Sequence, residues 1–98
     1  MAVLTSQVER ESDEFSRRRR RMEGLVAELR ERTAEIARGG GEAATERHRS
    51  RGKLTARERI DRLVDPGAAF LELNALAAWD LYDSQAPAAG IVTGIGVV

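Results

Sequence analysis

Five apolar residues spaced seven apart, Val8, Phe15, Met22, Leu29 and Ile36, constrain this chain more than any other feature in it. A repeat of that length keeps side chains in line only on a helix, and it predicts one long helix over residues 6–38. Leu25 and Val26 widen the stripe, and Gly24 interrupts it at a cost of about 1 kcal/mol relative to alanine. Acid-before-base pairs four apart (Asp13 with Arg17, Glu14 with Arg18, Glu28 with Arg32) each add about 0.2–0.5 kcal/mol. Ser12 and Thr33 stand where the second seam of a coiled coil wants leucine, so the stripe suits docking better than zipping. Gly39-Gly40-Gly41 ends the helix, because glycine takes left-handed angles freely.

Beyond the glycines the pattern shortens. Residues 42–50 read as a small charged helix with no apolar face, broken by Gly52. Thr55-Ala-Arg-Glu58 is a capping box that opens a helix over residues 56–64, with Ile60, Leu63 and Val64 expected on one side. Asp65-Pro66-Gly67 stops it, since proline disfavours helical angles at the residue before it. Residues 70–73 suggest a strand with Leu71 and Leu73 on one side, Phe70 and Glu72 on the other. Residues 74–89 look irregular, anchored by Trp79, Leu81 and Tyr82 and broken by Pro87. Residues 91–98 are β-branched and apolar on both faces, as in a buried strand, and need neighbours on both edges. The chain offers one such neighbour at most, around residues 70–73, and that shortage reads as truncation.

Composition narrows the classes. Ninety-eight residues with four aromatics and an alanine-heavy apolar fraction can build only a thin core. The net charge is zero: residues 1–53 carry thirteen Arg/Lys against ten Asp/Glu, and residues 54–98 carry three against six. That balance points to no nucleic-acid partner, and no apolar stretch approaches a membrane span. There is no cysteine, so neither a disulfide framework nor a thiolate nucleophile. The absence of a signal-like or transit-like start suggests a cytoplasmic protein.

Four features invite functional interpretation. The arginine run at residues 17–21 could meet nucleic acid or an anionic surface, but interleaved acids and missing aromatics favour a solvated helix face. His48, the sole histidine, has no zinc-motif neighbours and reads as a packing or surface residue; no metal site is expected. The glycines at 90, 94 and 96 follow no phosphate-loop order and read as places where another chain segment packs closely. Arg47, Arg49, Arg51 and Lys53 alternate around Gly52, and this cluster could meet coenzyme A phosphates or pair with acids at a contact.

Taken in order, the segments Gly39-Gly40-Gly41-Glu42, R-H-x-x-R-G-K-L over residues 47–54, R-E-R-I-D-x-L-x-D-P-G over 57–67, F-L-E-L over 70–73 and the A-P-x-A-G run from 86 resemble one family. It is the carboxyltransferase (beta) subunits of biotin-dependent acyl-CoA carboxylases, of the propionyl-, 3-methylcrotonyl- and acetyl-CoA carboxylase type, and the tyrosine-containing stretch before A-P-x-A-G resembles the 3-methylcrotonyl or a related acyl-CoA branch. The resemblance covers residues 39–98, and residues 1–38 match only as a charged helical extension. It implies an α/β, crotonase-like carboxyltransferase domain and transfer of a carboxyl group from carboxybiotin to the α-carbon of an acyl-CoA. The implied organisation is an N-terminal charged helix (1–38) and the start of the carboxyltransferase domain (39–98), as an N-terminal fragment. The family's oxyanion loops lie further on, so no catalytic residue carries over, and the fragment is expected to be inactive alone. Arg49, Arg51 and Lys53 remain as candidate contacts to coenzyme A phosphates. No cofactor is expected on this chain; biotin would ride on a partner. Implied partners are the remainder of the subunit, a biotin carboxylase or carrier subunit, the acyl-CoA and further copies in a homo-oligomer. The alternative is a stand-alone helical interaction module that binds or regulates a full-length carboxylase.

Overall fold

The computed structural model describes residues 1–84 and 86–98; Gln85, within the expected irregular stretch, lies outside the described residues. Its elements in order are α1 (Asp13–Ala37), α2 (Glu42–Ser50), α3 (Ala56–Leu63), β1 (Leu71–Leu73) and β2 (Thr93–Ile95), with short 3-10 turns at Tyr82–Ser84 and Pro87–Gly90. The chain forms two compact units, Met1–Glu31 and Arg32–Val98.

In the first unit the helix begins at Asp13, seven residues later than the apolar repeat suggests. Ser12 is the reason. Its Oγ accepts from the amide of Phe15 (3.1 Å) and donates to the carbonyl of Glu9 (2.8 Å), which is N-cap geometry. Asp13 and Glu14 then fill the first turn, where the helix dipole favours acids. Val8 is left outside the helix, and Ser12, which spoils a coiled-coil seam, terminates the helix instead. Glu14 pairs with Arg18 and Glu23 with Arg19 along the exposed surface. Met22, Leu25 and Leu29 stay exposed, Met22 at 58%.

The second unit holds the core. Ile36, in the last turn of α1, is 3% exposed and Ala88 is 5% exposed; these are the only fully buried apolar residues among those described. Ile36 lies in a cleft shared with Ala77, Trp79, Pro87 and Ala88. The Arg32 guanidinium sits 5.1 Å from the centre of the Trp79 ring, and the amide of Ala89 donates to the carbonyl of Ala77 (3.0 Å). The compact units therefore part inside α1, ahead of the glycine triplet, because its last turns belong with residues 77–89. That segment turns repeatedly through left-handed backbone at Ala78, Asp80, Tyr82, Asp83, Ala88 and Ala89. Aspartate tolerates this conformation; at alanine and tyrosine it costs roughly 1–2 kcal/mol per residue.

Around α3 the sequence signals hold. The helix ends at Leu63, and the amide of Ala68 donates to the carbonyl of Asp65 (2.9 Å) across a turn with Pro66 second and Gly67 third. Gly67 has φ +77°, the angle a type II turn demands at that place. β1 and β2 pair antiparallel, Leu71 opposite Ile95, Glu72 opposite Gly94 and Leu73 opposite Thr93. The C-terminal strand is three residues long rather than eight, since its only partner among the described residues is β1, itself three residues long.

The faces of this ladder invert the usual sorting. Leu71 (61% exposed), Leu73 and Ile95 face outward, while Phe70 and Glu72 are half-buried. A Cβ on Gly94 would stand 2.2 Å from Phe70 Cζ and 2.5 Å from the Leu71 carbonyl oxygen; one on Gly96 would stand 2.7 Å from Val64 Cγ1. The two glycines thus form a flat bed for the Phe70 ring and Val64, which is the close approach their spacing suggests. Leu63, expected inside with Ile60 and Val64, is 64% exposed instead. It is the last residue of a helix only eight long, and Val64 takes the inward position as the chain leaves it.

Candidate functional site

The cationic cluster of residues 47–53 forms the corner between α2 and α3. The last turn of α2 carries Arg47, His48 and Arg49, placed where the negative end of the helix favours cations. The ring of His48 donates through Nε2 to the carbonyl of Leu54 (2.9 Å), and the amide of Gly52 donates to the carbonyl of Arg49 (2.8 Å). The sole histidine is therefore a strut of the corner, in line with its packing role.

Glu58 is the centre of this arrangement. Its Oε2 accepts from the amide of Thr55 (2.7 Å), while its own amide donates to Thr55 Oγ1 (3.3 Å), completing the capping box. Its Oε1 accepts from both Nε and Nη2 of Arg49, at 2.9 and 2.6 Å. The Thr55 amide first, and then the Arg49 guanidinium, hold the Glu58 carboxyl down at about 2 against an ordinary 4.5. One side chain thus closes α3 and ties it to α2.

The residue before Glu58 makes a second pair. Arg57 reaches Glu72 of β1 with two parallel bonds of 2.8 Å, Nη1 to Oε2 and Nη2 to Oε1. Both partners are largely covered, at 28% and 17% exposed, and the Arg57 hydrogen bond pushes the Glu72 carboxyl below its usual range. Glu72 in turn raises the Arg57 guanidinium. Fork-to-carboxylate geometry of this kind fixes orientation as well as distance. The sequence discloses neither pair. Arg49 and Glu58 are nine residues apart, Arg57 and Glu72 fifteen, and no local spacing rule links them; only Glu72, an acid beside Phe70 in a strand, hints that something opposite must satisfy it.

Of the three candidate phosphate contacts, Arg49 is engaged by Glu58, and Arg51 and Lys53 are exposed in the turn at Gly52. Among the described residues, no group of three or more His, Asp or Glu side chains could hold a metal ion. None of the described helices is long and apolar enough to cross a membrane. Among the described residues the corner leaves three exposed cations without an ion pair, Arg47 at the end of α2 and Arg51 and Lys53 in the turn.

Residues 47–98, the span that holds the corner, the strut and the ladder, match the model of the carboxyl transferase domain. The chain belongs to the carboxyl transferase domain family. The mitochondrial methylcrotonoyl-CoA carboxylase beta chain of Arabidopsis thaliana is 49% identical over 98 residues, covering all of this chain and 17% of that protein. The biotin-dependent 3-methylcrotonyl-coenzyme A carboxylase beta1 subunit of Mycobacterium tuberculosis is 60% identical over 74 residues, 76% of this chain and 14% of its own length. Among solved structures, the transcarboxylase 12S hexamer with methylmalonyl-coenzyme A and methylmalonic acid bound superimposes with a TM-score of 0.68 at 40% identity. That match covers 79% of this chain and 16% of the 12S chain. The chain thus corresponds to a small N-terminal part of these carboxyl transferase relatives.

Proposed function

We propose that this chain is the opening segment of a carboxyltransferase subunit that moves the carboxyl group of carboxybiotin onto an acyl-CoA of the 3-methylcrotonyl type, within a crotonase-like domain. The observation that carries this is the carboxyl transferase match over residues 47–98, coincident with the tied α2–α3–β1 region. In that subunit the segment is scaffold. Glu58 locks the corner, Arg57 and Glu72 clamp α3 to the sheet, and the glycine bed seats Phe70. Arg51 and Lys53 are the cations left to meet coenzyme A phosphates, with Arg49 holding their turn in place. Biotin belongs to a carrier partner, the remaining partners are the rest of the subunit and further copies of it, and the setting is cytoplasmic.

The test is labelled-bicarbonate incorporation into 3-methylcrotonyl-CoA and propionyl-CoA by the full subunit that contains this segment, assembled with its biotin-bearing partner. Biotin-dependent incorporation is expected, with none from the pure 98-residue chain. Turnover by the 98-residue chain alone, or a full assembly that carboxylates no acyl-CoA, overturns the proposal. The exposed stripe on α1 favours a second reading, a helical module that binds or regulates a full-length carboxylase. Helicity that is unchanged on dilution rules out its self-associating form.

A further inference from the structure

Arg47, Arg51 and Lys53 share one small corner with no counter-charge among the described residues. Arg51 caps α2 at near-helical angles (φ −85°, ψ 9°), so it stands one turn beyond Arg47 on the same side. Arg49 lies about half a turn round from both, faces α3 and is taken by Glu58. The bond from His48 Nε2 to the Leu54 carbonyl (2.9 Å) folds the chain back beside this last turn. Gly52, at φ +74°, makes the reversal and carries Lys53 with it. No acid stands three or four places from Arg47 or Arg51 along the chain. Like charges one turn apart repel, and the negative end of α2 offsets only part of that. A bound anion would remove the rest.

We infer that Arg47, Arg51 and Lys53 together bind a phosphomonoester dianion and, resting on the acyl-CoA reading of the domain, that it is the terminal 3′-phosphate of coenzyme A, not its pyrophosphate. A monoester carries about −1.5 to −2 charge at neutral pH and three free oxygens, which suits three separate cationic side chains. The two guanidinium groups supply planar forks and the Lys53 ammonium a compact point charge. Each phosphate of the pyrophosphate has one charge and neighbours on both sides, and is best held along a run of backbone amides. α2 presents its carbonyl end at this corner, and all three cations are exposed side chains. Such a corner meets the end of a ligand. Glu58 and His48 keep it rigid, so little order is lost when the phosphate arrives.

The test is titration calorimetry of coenzyme A and of dephospho-coenzyme A into the full subunit that contains this segment. The two ligands differ only in the 3′-phosphate, and coenzyme A should bind about ten- to a hundredfold more tightly. Arg47→Gln, Arg51→Gln and Lys53→Gln together should lower coenzyme A to the affinity of its dephospho form and leave the dephospho form where it was. Arg47→Gln alone should close part of the gap. Arg20→Gln, in α1, should change neither ligand. Equal binding of the two ligands by the unaltered subunit, a triple variant that keeps the gap, or variants that weaken both ligands alike overturn the phosphate site and leave the acyl-CoA reading standing. An unaltered subunit that binds neither ligand overturns that reading, and the site with it.

Discussion

α1 and α3 make an instructive pair. α1 runs 25 residues with a regular apolar repeat, yet buries only Ile36. α3 runs eight residues and buries none of them fully, yet it is held by a complete capping box, by the Arg49–Glu58 pair, by the Arg57–Glu72 clamp and, just past its end, by the Asp65 amide donating to the Val97 carbonyl (2.8 Å). Periodicity sets what a helix could cover. Integration comes from the few directed bonds that fix its ends, and the shorter helix has nearly all of them. Helix formation depends mainly on such tertiary support at this length, since an isolated eight-residue helix does not pay its nucleation cost in water.

Five changes break or sharpen this contrast. The largest effect is expected at Gly94→Val, because a Cβ there meets both the Phe70 ring and the Leu71 carbonyl. The second unit should lose about 2–3 kcal/mol by overpacking, measured as a lower urea midpoint of Trp79 fluorescence. A midpoint that did not move would mean the Phe70 ring does not lie on the glycine bed. Arg57→Met comes next. It strands Glu72 half-buried and should cost about 1–2 kcal/mol, and a double variant with Glu72→Gln should recover part of that loss.

Thr55→Ala removes the cap and should cost about 1 kcal/mol, against a few tenths for Thr55→Gly. The same corner gives the second unit an acid limit. The Glu58 carboxyl is held low in the folded chain, so its contribution is full above its ordinary 4.5 and is lost as pH falls through about 2. Glu72, also held low, adds to the loss in the same direction. An Arg49→Met variant should flatten part of that acid limb in a pH-dependent unfolding series. The smallest change belongs to α1: nothing stands within 4 Å of a Cβ on Gly24, so Gly24→Ala should stabilise the helix by about 0.5–1 kcal/mol. Circular dichroism should report the gain while the Trp79 transition stays where it was.

Much of the local architecture is legible in the residues alone. The Thr55–Glu58 cap, the Pro66-Gly67 stop and the limits of α2 all follow from contacts between residues close in sequence, and residues 70–73 stand out as the one candidate neighbour for the C-terminal strand. The family also reads directly, because its motifs form one unbroken series through residues 39–96. Other features escape a linear reading. Ser12 looks like a flaw in a seam and is a cap, because a hydroxyl next to a free amide competes with the helix it would otherwise join. Leu63 looks like a core residue and is exposed, because helix length and not apolarity decides which way the last residue points.

What the sequence determined by itself is therefore local and compositional: where helices start and stop, how charge divides along α1, that the core must be thin, and which family the motifs spell. Only the tertiary structure decided which cations are committed and which face of the ladder is covered. Arg49 is drawn to Glu58 and Arg57 to Glu72 by proximity that no spacing rule encodes, leaving Arg51 and Lys53 unengaged. Phe70 and Glu72 turn inward while Leu71, Leu73 and Ile95 face out, because Gly94 and Gly96 leave room for a ring on one side only. Alternation fixes that two faces exist; which one is buried depends on what the rest of the chain brings to lie against it.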